Sequence, residues 1–431
     1  MNVRQNAALI AGLTVAGLTL GGCAATGDTT AEGPVEFTFL HRMPDKEGAK
    51  TVDELIAEFN DSHPGTTVVG ETMQGSSGES YPKIRSIVEA GKDVPCVAQL
   101  GSERVPDMLD SLMDVTEYAE KYRDHYQPAF FGKAKVGDAI FGLPIGASPI
   151  VMYYRADLFE KYGLELPQTW SEYEQMGRIV TEKSSGTAYM GSFLTDEILW
   201  TSALATSEGA DYFAYDSDEQ AWEVSVDSPE TDAVAAQWQA MIDAKTVLPT
   251  PRWGDEYVKY LTDGTLVTHI GAPWESTMFA DSVPDAAGSW KVAQIPHLKA
   301  STKTVGQNGG SVAAVLKGCA FPEQAVEFID WWATNTEGVS GLGMLPATKV
   351  DSVPTPPALK EYFSGQDIFD EYIAANENVA AVTWAPQSAT LFQALSDAQS
   401  KVAEGGRVAD IFRDGQDAAV AALTKAGAQV K

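Results

Sequence analysis

The chain is expected to fold as an α/β protein of two domains, each built on a mainly parallel sheet flanked by helices. Three observations support this. Strand-like runs alternate with amphipathic helical stretches from residue 35 onward, and a second series of the same kind starts near residue 150. Removing a leader of residues 1–22 from the 431 leaves 409, more than one hydrophobic core usually organises.

The elements are justified in chain order. Arg4, an apolar run from Ala7 to Leu20 and the small residues Gly21 and Gly22 read as a secretory signal. Leu20-Gly21-Gly22-Cys23 resembles a bacterial lipobox, in which Cys23 becomes the lipidated first residue of the mature protein. That implies an extracytoplasmic location, anchored by lipid to the outer face of the cytoplasmic membrane. The small, polar residues up to 33 read as a flexible tether. Val35-Glu36-Phe37-Thr38-Phe39-Leu40 alternates as a strand does. Val52, Leu55, Ile56 and Phe59 share one helical face, which stops at His63-Pro64-Gly65. Residues 66–73 read as a second strand, Ile84, Ile87 and Val88 mark a second helix, and 94–100 a third strand. The second series opens at Ile150-Val151-Met152-Tyr153-Tyr154. It continues through helices at 171–183 and 230–245, a strand at 309–317 and a helix from Glu323. Val353-Pro354-Thr355-Pro356-Pro357 reads as an extended connector, and helices complete the chain.

Composition narrows the chemistry. Sixty acidic residues against thirty basic ones leave a formal charge of −30. Such a surface repels phosphate backbones and anionic headgroups, which disfavours nucleic-acid binding and peripheral membrane docking. No second long apolar run follows the leader, so the N-terminal lipid is the expected hold on the membrane. With Cys23 assigned, Cys96 and Cys319 either pair or stay as two buried thiols.

Several ordered segments carry a family resemblance. They are Ile140-Phe141-Gly142-Leu143-Pro144, Met152-Tyr153-Tyr154-Arg155-Ala156-Asp157-Leu158-Phe159, Pro167-Gln168-Thr169-Trp170, Ser228-Pro229-Glu230, Leu261-Thr262-Asp263-Gly264-Thr265 through to Pro273-Trp274, Gly309-Gly310-Ser311 and Pro322-Glu323-Gln324-Ala325. With residues 341–347 they resemble the extracellular solute-binding proteins of carbohydrate ABC importers, the maltose-binding-protein-like family 1. The resemblance implies a two-lobed periplasmic-binding-protein type II fold with ligand between the lobes. It places the N-terminal lobe at 34–147 and 306–355 and the C-terminal lobe at 148–305 and 356–431. Hinge crossings fall near 146–149, 303–307 and the Pro-rich connector. It further implies a monomer without cofactor or metal that captures a neutral oligosaccharide and hands it to the permease subunits of an ABC transporter. In that topology the strand returning after the second crossing runs antiparallel beside the third strand, which brings Cys96 and Cys319 near each other.

A neutral oligosaccharide presents apolar C–H faces that pack on aromatic rings and a hydroxyl rim that needs planar donors and acceptors. In α/β lobes such groups belong on loops at the carboxyl ends of strands. Those loops nominate Trp274, Trp384 and Trp253 for stacking. For polar contacts they nominate His41, Gln74, Gln99, Glu103, Glu275 and Asn308, with Gly309 beside the second crossing. The competing readings are an extracellular glycoside-processing enzyme and a receptor for a peptide or polyamine. An iron site at Tyr153-Tyr154 is a further one. No serine elbow, His-Glu-x-x-His or phosphate-cradling glycine loop is present.

Overall fold

The computed structural model describes residues 34–43, 45, 50–74 and 77–431. The leader, Cys23, the tether up to residue 33, Gly75 and Ser76 lie outside the described residues. Ten strands build the two sheets: β1 Val35–His41, β2 Thr66–Thr72, β3 Val97–Gly101, β4 Gly142–Gly146, β5 Val151–Arg155, β6 Gly191–Leu194, β7 Val247–Thr250, β8 Thr268–Gly271, β9 Trp290–Ala293 and β10 Ser311–Val315.

The first sheet runs β2-β1-β3-β10-β4. β1 pairs in parallel with β2 and β3, whereas β10 is antiparallel to both neighbours, with Val312 opposite Leu100 and Pro144. The second sheet repeats the plan. β7 and β6 are parallel, a parallel bridge from Tyr189 to Leu266 joins β6 to β8, and β5 runs antiparallel between β8 and β9. Each sheet thus carries one reversed strand beside four that share a direction. In both lobes that reversed strand is the first one after a crossing between lobes, so it enters its sheet from the hinge end.

Helix starts follow local chemistry. Thr51 caps Val52–Ser62 and Thr169 caps Trp170–Lys183, each in a reciprocal box with a glutamate three residues on. Ser228 caps Pro229–Asp243 with Pro229 at the first helical position. The apolar faces cover both sides of the first sheet. Phe39, Phe59, Phe328 and Trp332 fill one side; Leu40, Ile84, Leu100 and Val312 fill the other. A single larger core around Trp170, Trp200, Trp238 and Phe279 fills the second lobe.

The chain crosses between the sheets at residues 147–150, where Ala147 bridges Leu345 and Pro149 bridges Gln307. It returns at 306–308, where the Asn308 amide donates to the Ser148 carbonyl at 3.0 Å. A disulfide joins Cys96, just before β3, to Cys319, just past β10, with Cα atoms 4.4 Å apart. It closes a loop that contains the whole β5–β9 excursion, and a constraint of that size removes conformations from the unfolded chain. Among the described residues no helix is long and apolar enough to cross a membrane.

Candidate functional site

The carboxyl ends of β1, β3, β6 and β8 face one another across a cleft of about 380 Å³, within the range of small-molecule sites. The first lobe contributes Arg42, Tyr81, Gln99 and Glu103; the second contributes Glu197, Leu199, Trp274 and Thr277. The crossing segments form the floor through Ser148, Asn308 and Gly309, and the turn at 342–345 closes one side. Gly309 and Gly310 have φ of 97° and 105°, a left-handed backbone that lets the chain turn without a side chain obstructing the floor.

Trp274 follows β8 and is half-buried at the start of the helix Glu275–Ser282. Its indole Nε1 donates to the Asn308 carbonyl at 3.2 Å, tying the second lobe to the hinge. The Arg252 guanidinium stands 5.3 Å over the ring. Trp274 lines the cleft, whereas Arg252 is not among its lining residues.

Beneath Trp274 lies a buried polar network. The Glu275 carboxylate is fully buried and accepts from the Ala272 amide at 2.9 Å and from Trp253 Nε1 at 3.0 Å. It also meets His269 Nε2 at 2.8 Å, and the other His269 ring nitrogen meets the Tyr257 hydroxyl at 2.6 Å. Desolvation alone would raise the Glu275 carboxyl. His269, Arg252 and the Ala272 amide outweigh it and hold the group below the usual carboxylate range. Gly271 is required for this fit, because a Cβ there would stand 2.5 Å from His269 Nε2.

The opposite wall is also largely self-satisfied. Gln99 accepts from the Arg42 amide at 2.8 Å and donates to Ser311 at 3.0 Å. Tyr81 accepts from the Gly101 amide at 3.0 Å, with the Arg42 and Arg104 guanidiniums 5.7 and 5.4 Å from its ring centre. Burial pushes the Glu103 carboxyl up, partly offset by its own backbone amide, Arg104, Arg42 and Lys133. Among the described residues, Glu103 is the cleft carboxyl with no hydrogen bond to another residue's amide.

Five nominated residues thus meet on the cleft wall: Trp274, Gln99, Glu103, Asn308 and Gly309. The other five are not among the residues that line this cleft. Glu275 is beneath the wall, sealed by its own partners. Trp253 packs edge-on against Phe279 and His269 as part of the second core. Trp384 packs on Tyr212 and Phe392 and is not in the lining. His41 is 3% exposed, with its ring against Phe39, and burial lowers its pKa. Gln74 is exposed past the end of β2 and away from the lining. Tyr153 is also in the core, bonded to Tyr372 and the Ala272 carbonyl, which removes the paired-tyrosine iron reading. Sequence reasoning missed Lys50, Tyr81, Thr277 and the 342–345 turn. Tyr81 shares a helical face with Ile84 and Val88, and that spacing reads as core.

Comparisons with known proteins agree with this architecture. The sequence profile of the bacterial extracellular solute-binding proteins matches residues 44–339. The arabinooligosaccharide-binding protein of Bacillus subtilis is 24% identical over 336 residues, covering 74% of each chain. Among solved structures, the galacto-N-biose-/lacto-N-biose I-binding protein of the ABC transporter from Bifidobacterium longum, in complex with lacto-N-biose, superposes with a TM-score of 0.86. It is 31% identical and covers 93% of this chain and 100% of its own. An ABC transporter associated binding protein from B. animalis subsp. lactis, in complex with β-1,6-galactobiose, gives a TM-score of 0.76. It is 22% identical and covers 92% of this chain and 99% of its own. With a profile match over more than half its length, a 31%-identical structural relative and the two-sheet cleft, the chain belongs to the bacterial extracellular solute-binding proteins.

Proposed function

We propose that this protein is the lipid-anchored receptor of an ABC importer, holding a short neutral oligosaccharide between its lobes and passing it unaltered to membrane permease subunits. As a member of its family it is an extracytoplasmic binding protein rather than an enzyme. One observation carries the ligand reading: the indole of Trp274 lines the cleft with Glu103 and Arg42 on the opposite lobe, while Gln99, Tyr81 and Glu197 are already bonded within the protein. That arrangement suits a ring with an apolar C–H face and a hydroxyl rim. Relatives crystallised with lacto-N-biose and β-1,6-galactobiose support it. Cys23 is the proposed acylation point, and 34–147 with 306–355 and 148–305 with 356–431 are the proposed moving bodies.

A thermal-shift and calorimetric screen of neutral di- to tetrasaccharides tests the proposal. A true ligand at 100 times its Kd adds about 2.7 kcal/mol of stability, and it is recovered intact by chromatography. A sugar that is consumed supports the enzyme reading. A shift given only by peptides or polyamines replaces the sugar.

The lobes touch at the cleft rim. The helix Ser388–Ser400 has no side-chain cap of its own, and Asp107 of the first lobe accepts from its Ala389 amide at 2.9 Å. Arg104 lies 5.1 Å over Phe392 of the same helix. A missing cap costs about 0.5–2 kcal/mol, and here the loss falls on the form in which the lobes meet. Asp107→Ala is therefore expected to raise the ligand Kd by roughly 3- to 30-fold while the free protein melts nearly as before. An unchanged Kd by calorimetry refutes the rim contact's role.

A further inference from the structure

The cation over the cleft indole carries an inference that rests on the sugar-binding reading for its affinity arm only. Arg252 follows β7, and its backbone amide donates to the Asp196 carboxylate at 3.1 Å. Its side chain is 15% exposed and meets three groups at once. The guanidinium pairs with Glu197, a residue that lines the cleft. It stands 3.8 Å from buried Glu275, and it lies 5.3 Å over the Trp274 ring.

We propose that Arg252 is a positioning residue for ligand recognition, fixing the Trp274 ring while neutralising the Glu197 carboxylate on the same wall. A planar guanidinium suits both tasks, because it stacks on an indole through its face and bonds carboxylates through its edge. Glu197 also accepts from the Leu199 amide at 3.1 Å, so the pair orders the loop that carries Leu199 into the cleft. Without Arg252, no guanidinium would stand between Glu197 on the wall and buried Glu275 beneath it. The indole would then keep its bond to the Asn308 carbonyl and lose the guanidinium over its ring.

The test compares Arg252→Met, which keeps length and loses charge, with Arg252→Lys, which keeps charge and loses the fork. Calorimetry with lacto-N-biose and β-1,6-galactobiose is expected to give about a tenfold weaker Kd for R252M, with R252K in between. In a Trp274→Ala background the R252M effect should shrink to less than about threefold, the coupling expected of neighbours acting through one ring. Equal losses in both backgrounds, or an unchanged Kd, overturn the proposal. A ligand-independent readout uses 15N-tryptophan labelling, with the Trp274 indole resonance assigned by its loss in Trp274→Phe. R252M should shift or broaden that resonance and R252K should partly restore it. If the resonance does not move, Arg252 does not position the ring. If the wild type binds neither sugar, the affinity arm uses the neutral oligosaccharide found by the thermal-shift screen, while the indole resonance decides the role of Arg252 without a ligand.

Discussion

Trp274→Ala is expected to weaken binding of the cognate sugar at least about tenfold and to leave the fold intact. Burying a large apolar side chain against a ligand contributes about 1.5–3 kcal/mol, and ring stacking adds about 0.5–1.5. One factor of ten needs only about 1.4 kcal/mol. The fold should survive because Trp274 is half-buried at a helix start, while Arg252 keeps Glu197 and Glu275 as partners. Trp274→Phe keeps a ring and loses the bond to the Asn308 carbonyl, so its Kd should fall between those of wild type and alanine. Calorimetry on the three proteins checks this ordering. Equal affinities would place the sugar away from the indole.

Glu275→Ala is expected to destabilise the second lobe by about 3–5 kcal/mol, the cost of removing one partner from a buried ion pair. The variant strands His269 Nε2, the Ala272 amide and Trp253 Nε1 in a site closed to water. For a lobe of this size the melting temperature should fall on the order of 10 °C. The pH dependence gives a second reading. A carboxyl held low in the folded chain supplies stability that is present above its unfolded pKa of about 4.3. That stability disappears as pH falls through the lower folded value. Wild type should therefore lose more stability than the variant on acidification below pH of about 4. Parallel melting curves across that range would show that Glu275 stays protonated or unpaired. Ligand affinity should fall as well, because Glu275 anchors the Ala272 amide two residues before Trp274.

Much of the architecture was legible because its signals are local. Alternation at 35–40, the apolar face from Val52 to Phe59 and the helix stop at His63 each act within one or two turns of chain. The family resemblance then placed the returning strand antiparallel beside the third and so brought Cys96 near Cys319. The cleft itself was read less well. Trp253 and Trp274 look alike in sequence, each next to Pro or Gly or one residue from it and following a strand. In the fold, one indole is inserted among Tyr257, His269 and Phe279, and the other faces the opposite lobe. Glu103 and Glu275 are likewise both loop or helix-start carboxylates. One reaches the cleft; the other is enclosed by a histidine, an amide and an indole drawn from β8 and the loops beside it.

By itself, then, the sequence determined two α/β lobes, their helix starts and the strand ends at which a site would form, since periodicity, caps and turns are set by near neighbours. Only the tertiary structure decided which side chains on those strand ends reach the cleft. That choice depends on partners far away in the chain, such as Arg252 over Trp274 and His269 against Glu275, and desolvation makes a polar group go where such a partner can meet it.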